Sequence, residues 1–336
     1  MNGSWPTIPY EPWADTCTAL HLWCQILGKY RLAHTPWVNH SWHATLYVVP
    51  RGLTTGPIHP TPRGEGSGPR AGCLTLTLDL VDRRLVVEAD GGAREGFALE
   101  PMSIAAFHAR AKRAIEAIGG TFAIHGRPNE VPDPMPFAGD IAERPYDADA
   151  VTRFHGALLR IVPILERFRT GFLGKVSPVH LFWGSFDLAV TRFSGRMAPL
   201  HPGGFPNLPD AVTREAYSHE VSSAGFWPGN RNPDGSATEA MFYSYAYPTP
   251  DGFGERPVEP QGAGWNAELG EFLLPYHAVA ESDDPAATLM AFLQSTYTAA
   301  ADLANWDRTA LECEIGVPGV PRTLGKRTER WEGAKP

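Results

Sequence analysis

The chain lacks every compact motif that would name a chemistry. It has no CxxC, no GxGxxG, no GxSxG and no HExxH. Those absences remove the short signatures of dithiol redox sites, dinucleotide folds, serine-hydrolase elbows and zincin helices. The segment GFLGKVS, residues 171–177, comes nearest to a phosphate loop. It misses the GxxxxGK[ST] spacing and precedes a predicted strand instead of a helix.

Cysteine is scarce: Cys17, Cys24, Cys73 and Cys313. Cys17 and Cys24 share one face of a predicted helix but lie too far apart to bridge. Reduced, buried cysteines of a cytoplasmic protein are the expectation. There is no basic surplus: the net charge is -8 and the pI about 5.8. A nucleic-acid partner is therefore not expected, because nothing would displace phosphate counterions. No apolar run approaches a membrane span, and the start MNGSWPTIPYEPW reads as neither leader nor anchor.

What the chain has is length and loops. Its 336 residues, 43% hydrophobic, suffice for a large core or two fused units, and 32 prolines punctuate it. The pattern reads twice as helix, about four strands, helix. In residues 1–125, Asp15–Arg31 reads as a helix, NHSWHATLYVVPRG (39–52) as a strand, and CLTLTLDLVDRRLVVEAD as a hairpin with leucines facing inward. Ser103 caps a further helix to Ile118. Residues 126–146 are a Pro-rich connection. In residues 147–312, Asp147 or Asp149 starts a helix to Phe172. REAYSHEVSSAGFW, AMFYSYAY and GEFLLPY then read as strands, and Asp284-Pro285 opens a helix to Leu303. Residues 313–336 form a tail expected to be mobile, including GKRTER. Trp42, Val49 and Arg51 match Trp183, Val190 and Arg192 without a gap, which points to a duplication. The expected fold is α+β: two pseudo-repeated helix–antiparallel sheet–helix halves packed into one globular unit. The first half is scaffold, and the second carries the site.

The stretch KVSPVHLFWGSFDLAVTRFSGR, Lys175–Arg196, concentrates the chemistry. Read as one strand, it carries polar groups on both parities among large aromatics, and such groups must find partners when buried. His180, Asp187, His219 and Glu220 are the expected catalytic residues. A carboxylate beside an imidazole would orient the ring and raise its pKa for acid–base work, and two close carboxylates would raise one carboxyl pKa. Trp183, Ser185, Arg192, Ser222, Trp227 and Tyr245 are the expected substrate-binding residues, with Arg192 clamping an anionic group. A structural ion pair for Arg192 or Arg196 with Glu215 or Glu220 is the plainer alternative. A divalent metal is the sharpest variant, with His40, His180, His219 and Glu271 as ligands drawn from separate strands. His40-x-x-His43 on a regular strand would point to opposite sides. No nucleotide cofactor motif is present.

The strings SPVHLFWGSFDLAVTRFSGR, EAYSHEVSSAGFWPG, LGEFLLPY and FLQSTYTAAADL resemble the bacterial family catalogued as domain of unknown function 5996. The resemblance runs from Trp5 to about Leu311. It implies a soluble bacterial protein and carries no activity, cofactor or catalytic residue. The residues favour a small-molecule enzyme with histidine/carboxylate acid–base chemistry in an aromatic-lined cleft. The alternatives are a non-catalytic small-molecule binder and an interaction or scaffold protein.

Overall fold

The computed structural model describes residues 4–59, 72–131, 133–232 and 234–322. The GKRTER run of the tail and most of the excursion that follows Pro50 lie outside them.

The first half runs α1 (Ala14–His34), β1 (Tyr47–Val49), β2 (Gly52–Thr54), β3 (Leu74–Asp79), β4 (Arg84–Ala89), β5 (Arg94–Ala98), a two-residue β6 (Met102–Ser103) and α2 (Ile104–Ala117). In the connection, β7 (Glu143–Arg144) pairs with β6. The second half runs α3 (Ala148–Thr170), β8 (His180–Phe182), β9 (Asp187–Met197), α4 (Asp210–Ala216), β10 (His219–Trp227), the small ladder of β11 (Asn230–Arg231) with β12 (Ala237–Thr238), β13 (Met241–Tyr247), β14 (Gly264–Asn266), β15 (Glu271–Pro275), α5 (Tyr276–Ala280), α6 (Pro285–Leu303) and α7 (Arg308–Leu311).

The caps explain where the long helices begin. Ser103 Oγ accepts the amide of Ala106, Asp147 accepts those of Asp149 and Ala150, and Asp284 accepts that of Ala287. α1 is buried on every side, from Ala14 through Leu20, Trp23 and Leu27 to Tyr30. A helix that is covered all round belongs in the middle of a molecule. On one side Trp23 stacks on Phe107 of α2, and on another Gly28 lies against the Trp183 ring.

The sheets are antiparallel, ordered β1-β2-β3-β4-β5 and β14-β15-β13-β10-β9-β8. One bridge joins them. Leu46 and Leu181 exchange both amide–carbonyl bonds, at 2.9 and 2.8 Å. The fold is thus mixed α+β; the first sheet is a simple meander, whereas in the second α4 interrupts the strands and β14 lies at the edge outside β15. In β3, Leu74, Leu76 and Leu78 are buried and Thr75 and Thr77 half-buried, as their alternation predicts.

Three expectations need correction. Lys175–Arg196 is not one strand but the β8–β9 hairpin, so residues of opposite parity on either side of its turn face the same way. Residues 39–41 form a 3-10 turn instead of a strand, with His40 and Ser41 both in left-handed backbone (φ +59° each). The gapless match of the halves does not superpose elements: Trp42 precedes β1, whereas Trp183 sits in the turn after β8. Arg51 pairs with Asp79 near the surface, whereas Arg192 lies in the core.

Candidate functional site

The register of the second sheet sorts its residues onto two faces. Leu188, Val190, Phe226, Phe242 and Leu274 face α3 and α6 in the core. The other face is polar. Thr191 pairs with Ser223, which pairs with Tyr245; Ala189 pairs with Gly225, which pairs with Tyr243. Opposed residues share a face, as do residues two apart. Asp187 of β9 and Glu271 of β15 therefore join this face.

The turn that presents Asp187 is built by α1. His21 Nε2 lies 3.0 and 2.9 Å from the carbonyls of Trp183 and Gly184. The ring of His21 stacks on Phe186, which also packs on Phe154. These contacts hold Phe186 at φ +59°, an unfavourable backbone for a bulky residue. Trp183 lies flat against Gly28, where a Cβ would fall 2.0 Å from the indole, and donates its Nε1–H to the Ala44 carbonyl at 2.6 Å. Trp183 therefore anchors the turn to α1.

Asp187 receives two hydroxyl hydrogen bonds, from Ser185 Oγ to Oδ1 and from Tyr243 OH to Oδ2. Tyr243 can reach across because Gly225 has no side chain. A Cβ there would lie 2.5 Å from the Tyr243 hydroxyl. Burial pushes the Asp187 carboxyl up, and the Ser185 and Tyr243 hydroxyls oppose that shift. Beside it, Thr191 and Ser223 hydroxyls meet at 2.9 Å, and Tyr245 and Tyr217 hydroxyls at 2.8 Å. His201 stacks on Tyr217 and packs on Tyr247, so the 198–217 segment roofs this end of the face.

The Asp187 charge bears on two further carboxyls. Glu271 is pushed up to about 7 by burial and then by the Asp187 charge. Glu130 is pushed up to about 7 by burial and by Asp187, against the opposing pull of Lys29. Glu130 lies directly over the turn, since a Cβ on Gly184 would fall 1.9 Å from its Oε1. Gln25 of α1 holds it there. Its side chain accepts the Asn129 amide and donates to the Asn129 carbonyl, both at 2.8 Å. Lys29, buried and lowered to about 8 by burial, donates to Asn129 Oδ1 and lies 5.3 Å from the Trp183 ring centre. The first half and the connection thus supply residues to a face expected to belong to the second half alone.

The expected residues do not all meet here. Asp187, Ser185 and Tyr245 do, and Trp227, one residue beyond the partner of Leu188, closes the same end of the ladder. His219 pairs with Met197, at the opposite end of β9 from Asp187. The ten-residue separation corresponds to about 30 Å along the strand. His219 bonds to Ser218 Oγ at 3.0 Å and lies 6.1 Å, ring to ring, from His40. Nδ1 of His40 donates to the Ala216 carbonyl at 2.7 Å, so its Nε2 accepts from Lys175 Nζ at 2.5 Å. Glu220 accepts from Ser194 and pairs with Arg196 at 2.7 Å.

Arg192 and Ser222 face the core. The Arg192 guanidinium lies 3.5 Å from the Phe168 ring centre and 4.3 Å from that of Tyr297, and donates to the Phe168 carbonyl at 2.5 Å. It is 1% exposed and offers an anionic substrate no approach from this face. His180 is fully buried with both ring nitrogens unpartnered, and burial lowers it to about 3. Among the described residues no three His, Cys, Asp or Glu side chains are grouped as a metal needs. Of the four proposed ligands, Glu271 sits with Asp187, His40 and His219 lie near Lys175 at the other end of β9, and His180 sits on β8 apart from the other three.

Sequence reasoning gave no catalytic role to Glu130, Lys29, Tyr217 or Tyr243. Two signals were readable. Lys29 interrupts a helix that is otherwise buried, and Gly225 inside a strand marks a close approach. Nothing local distinguishes Glu130 within its Pro-rich connection.

A family model matches residues 5–313, and the chain belongs to that family, DUF5996, a family of unknown function. No curated protein and no solved structure matches the chain.

Proposed function

Since family membership assigns no activity, we propose from the site itself that the protein is a small-molecule enzyme working by carboxyl/tyrosine acid–base chemistry. The observation that carries this reading is the Asp187 carboxyl bonded to the Tyr243 hydroxyl, with Glu271 on the same sheet face and Glu130 over the adjoining turn, both under the influence of the Asp187 charge. Carboxyls that titrate near neutrality can both give and take a proton at working pH. Asp187 and Tyr243 act as the coupled pair at the centre. Glu271 and Glu130 serve as proton donor or acceptor, and the stacked Tyr243 and Tyr245 rings hold the flat part of a ligand. The histidines do not carry the step in this reading. His219 is at the far end of the sheet, and His180 is buried and held neutral at working pH. The order helix, antiparallel sheet, helix in each half favours duplication of such a unit, with the catalytic face elaborated in the second copy.

The test is a thermal-shift screen of metabolites followed by turnover assays on the hits. Hits that are consumed by the wild type, and neither bound nor consumed by Asp187→Asn or Glu271→Gln, support the reading. Hits whose binding and turnover survive both substitutions overturn it. Hits that bind at the site but are never consumed convert the proposal to a binding protein and refute the catalytic part.

A further inference from the structure

A second locus lies where the two sheets meet, around the loop that carries Trp42 to Tyr47. His180 enters it from β8 and is 0% exposed, yet neither Nδ1 nor Nε2 has a partner. His43, 3% exposed, leaves its Nε2 unpartnered. Arg31, near the end of α1, donates from Nη1 to the Thr45 carbonyl, and its buried Nε meets nothing. The Tyr47 ring links them. The Arg31 guanidinium is 5.2 Å from its centre and the His180 ring 6.5 Å. The Arg31 charge bears on both imidazoles. Trp42 packs at 6.4 Å from the His180 ring.

Unpartnered buried polar groups are uncommon in folded proteins, and a cluster of them beside a cation is accounted for by a bound water or ion. Here every group is a donor or can become one. Arg31 and, beside His180, Arg169 are positive; the carboxylate that bears on His43, Glu215, already accepts from Trp37 and the His40 amide, and no ion pair of Arg31 occurs among the described residues. Buried water could satisfy the ring nitrogens one at a time, whereas an oxyanion would engage them together with the guanidinium. A forked guanidinium beside two imidazoles matches the geometry of an oxyanion. Arg31, Trp42 and Tyr47 are only partly buried, so the locus is approached from the surface beside Arg31.

We infer that Arg31, His43 and His180 form a binding site for a small oxyanion, either free inorganic phosphate or the phosphate group of a larger metabolite. It lies at the β8 edge of the same sheet face as Asp187, since His180 opposes Ala189, but shares no residue with the carboxyl set there. Binding would draw a proton onto the locus, since an anion next to a neutral imidazole favours its charged form.

The experiment titrates inorganic phosphate, and in a second arm glycerol phosphate, into the full chain at constant ionic strength, following the melting temperature. In parallel, the His180 ring nitrogens are followed by NMR as the pH is varied. The expected result is a saturable rise in melting temperature and an upward move of the His180 titration midpoint with phosphate. Arg31→Met should weaken binding about tenfold or more, the usual size of losing one charged hydrogen bond. Equal binding of the ester points to the head of a larger ligand, and preference for the free ion to phosphate itself. If Arg31→Met fails to fold, Arg31→Lys, which keeps the charge but loses the fork, should show the same direction with a smaller loss. No saturable response in either arm, an unmoved His180 midpoint, or undiminished binding by the Arg31 variants would overturn the inference.

Discussion

Replacing His180 by leucine should make the protein less sensitive to mild acid. The imidazole is held neutral in the folded state, at about 3, by burial and by the charges of Arg31 and Arg169. In the unfolded chain it titrates near 6.5. Between those values the unfolded state binds the extra proton, so stability rises with pH and is lost as pH falls below the unfolded value. The loss at pH 5 is about 2 kcal/mol, from 1.5 units at 1.36 kcal/mol each, growing toward about 5 kcal/mol near pH 3. His180→Leu removes this contribution. Because the ring nitrogens have no partners, the variant should be near neutral in stability at pH 7. The assay is urea unfolding of both proteins at pH 7 and pH 5 in phosphate-free buffer. The wild type should lose about 2 kcal/mol more than the variant between the two conditions. Equal losses would refute the reasoning and show that the ring is charged or solvated in the native state.

Arg192→Ala should cost about 3 kcal/mol or more of stability. It empties a buried space between Phe168 and Tyr297 and leaves the Phe168 carbonyl with only the Gly171 amide as donor, and Arg192→Lys should not restore the planar stacking; denaturant midpoints of the three proteins measure this. Gly225→Ala should destabilise by about 1–3 kcal/mol and release Tyr243 from Asp187, because the new methyl meets the Leu188 carbonyl and the Tyr243 hydroxyl; the tyrosine ultraviolet titration should then show one phenol ionising at lower pH. Glu220→Gln should change stability by no more than about 1 kcal/mol and leave ligand binding intact, since its partner Arg196 is half-exposed; a loss of activity there would return Glu220 to the site.

The sequence was most legible where one rule acts locally. Ser103, Asp147 and Asp284 cap their helices as their positions suggest, and the leucines of β3 face inward on schedule. It was least legible where the turn decides. Lys175–Arg196 looked like a strand with polar residues on both faces because nothing but Gly184 announced the hairpin, and Phe186 adopts a left-handed backbone only because His21 and Phe154 hold it. Register was the second gap. His219 and Asp187 are compatible partners by type, yet antiparallel pairing of β9 with β10 sends them to opposite ends. Glu130 was invisible for a third reason. Its place depends on Gln25, more than a hundred positions earlier, gripping the Asn129 backbone. Arg192 shows the limit of residue type as a guide, since a guanidinium that could clamp an anion stacks among aromatic rings instead.

Carboxyl-detected NMR across a pH titration, comparing the wild type with Asp187→Asn, addresses the acid–base face directly. The account predicts at least one glutamate side chain titrating near pH 7, assigned to Glu271 or Glu130, with its midpoint falling when the Asp187 charge is removed. Side-chain carboxyls that all titrate below about pH 5, as free ones do, with midpoints indifferent to Asp187→Asn, would contradict it.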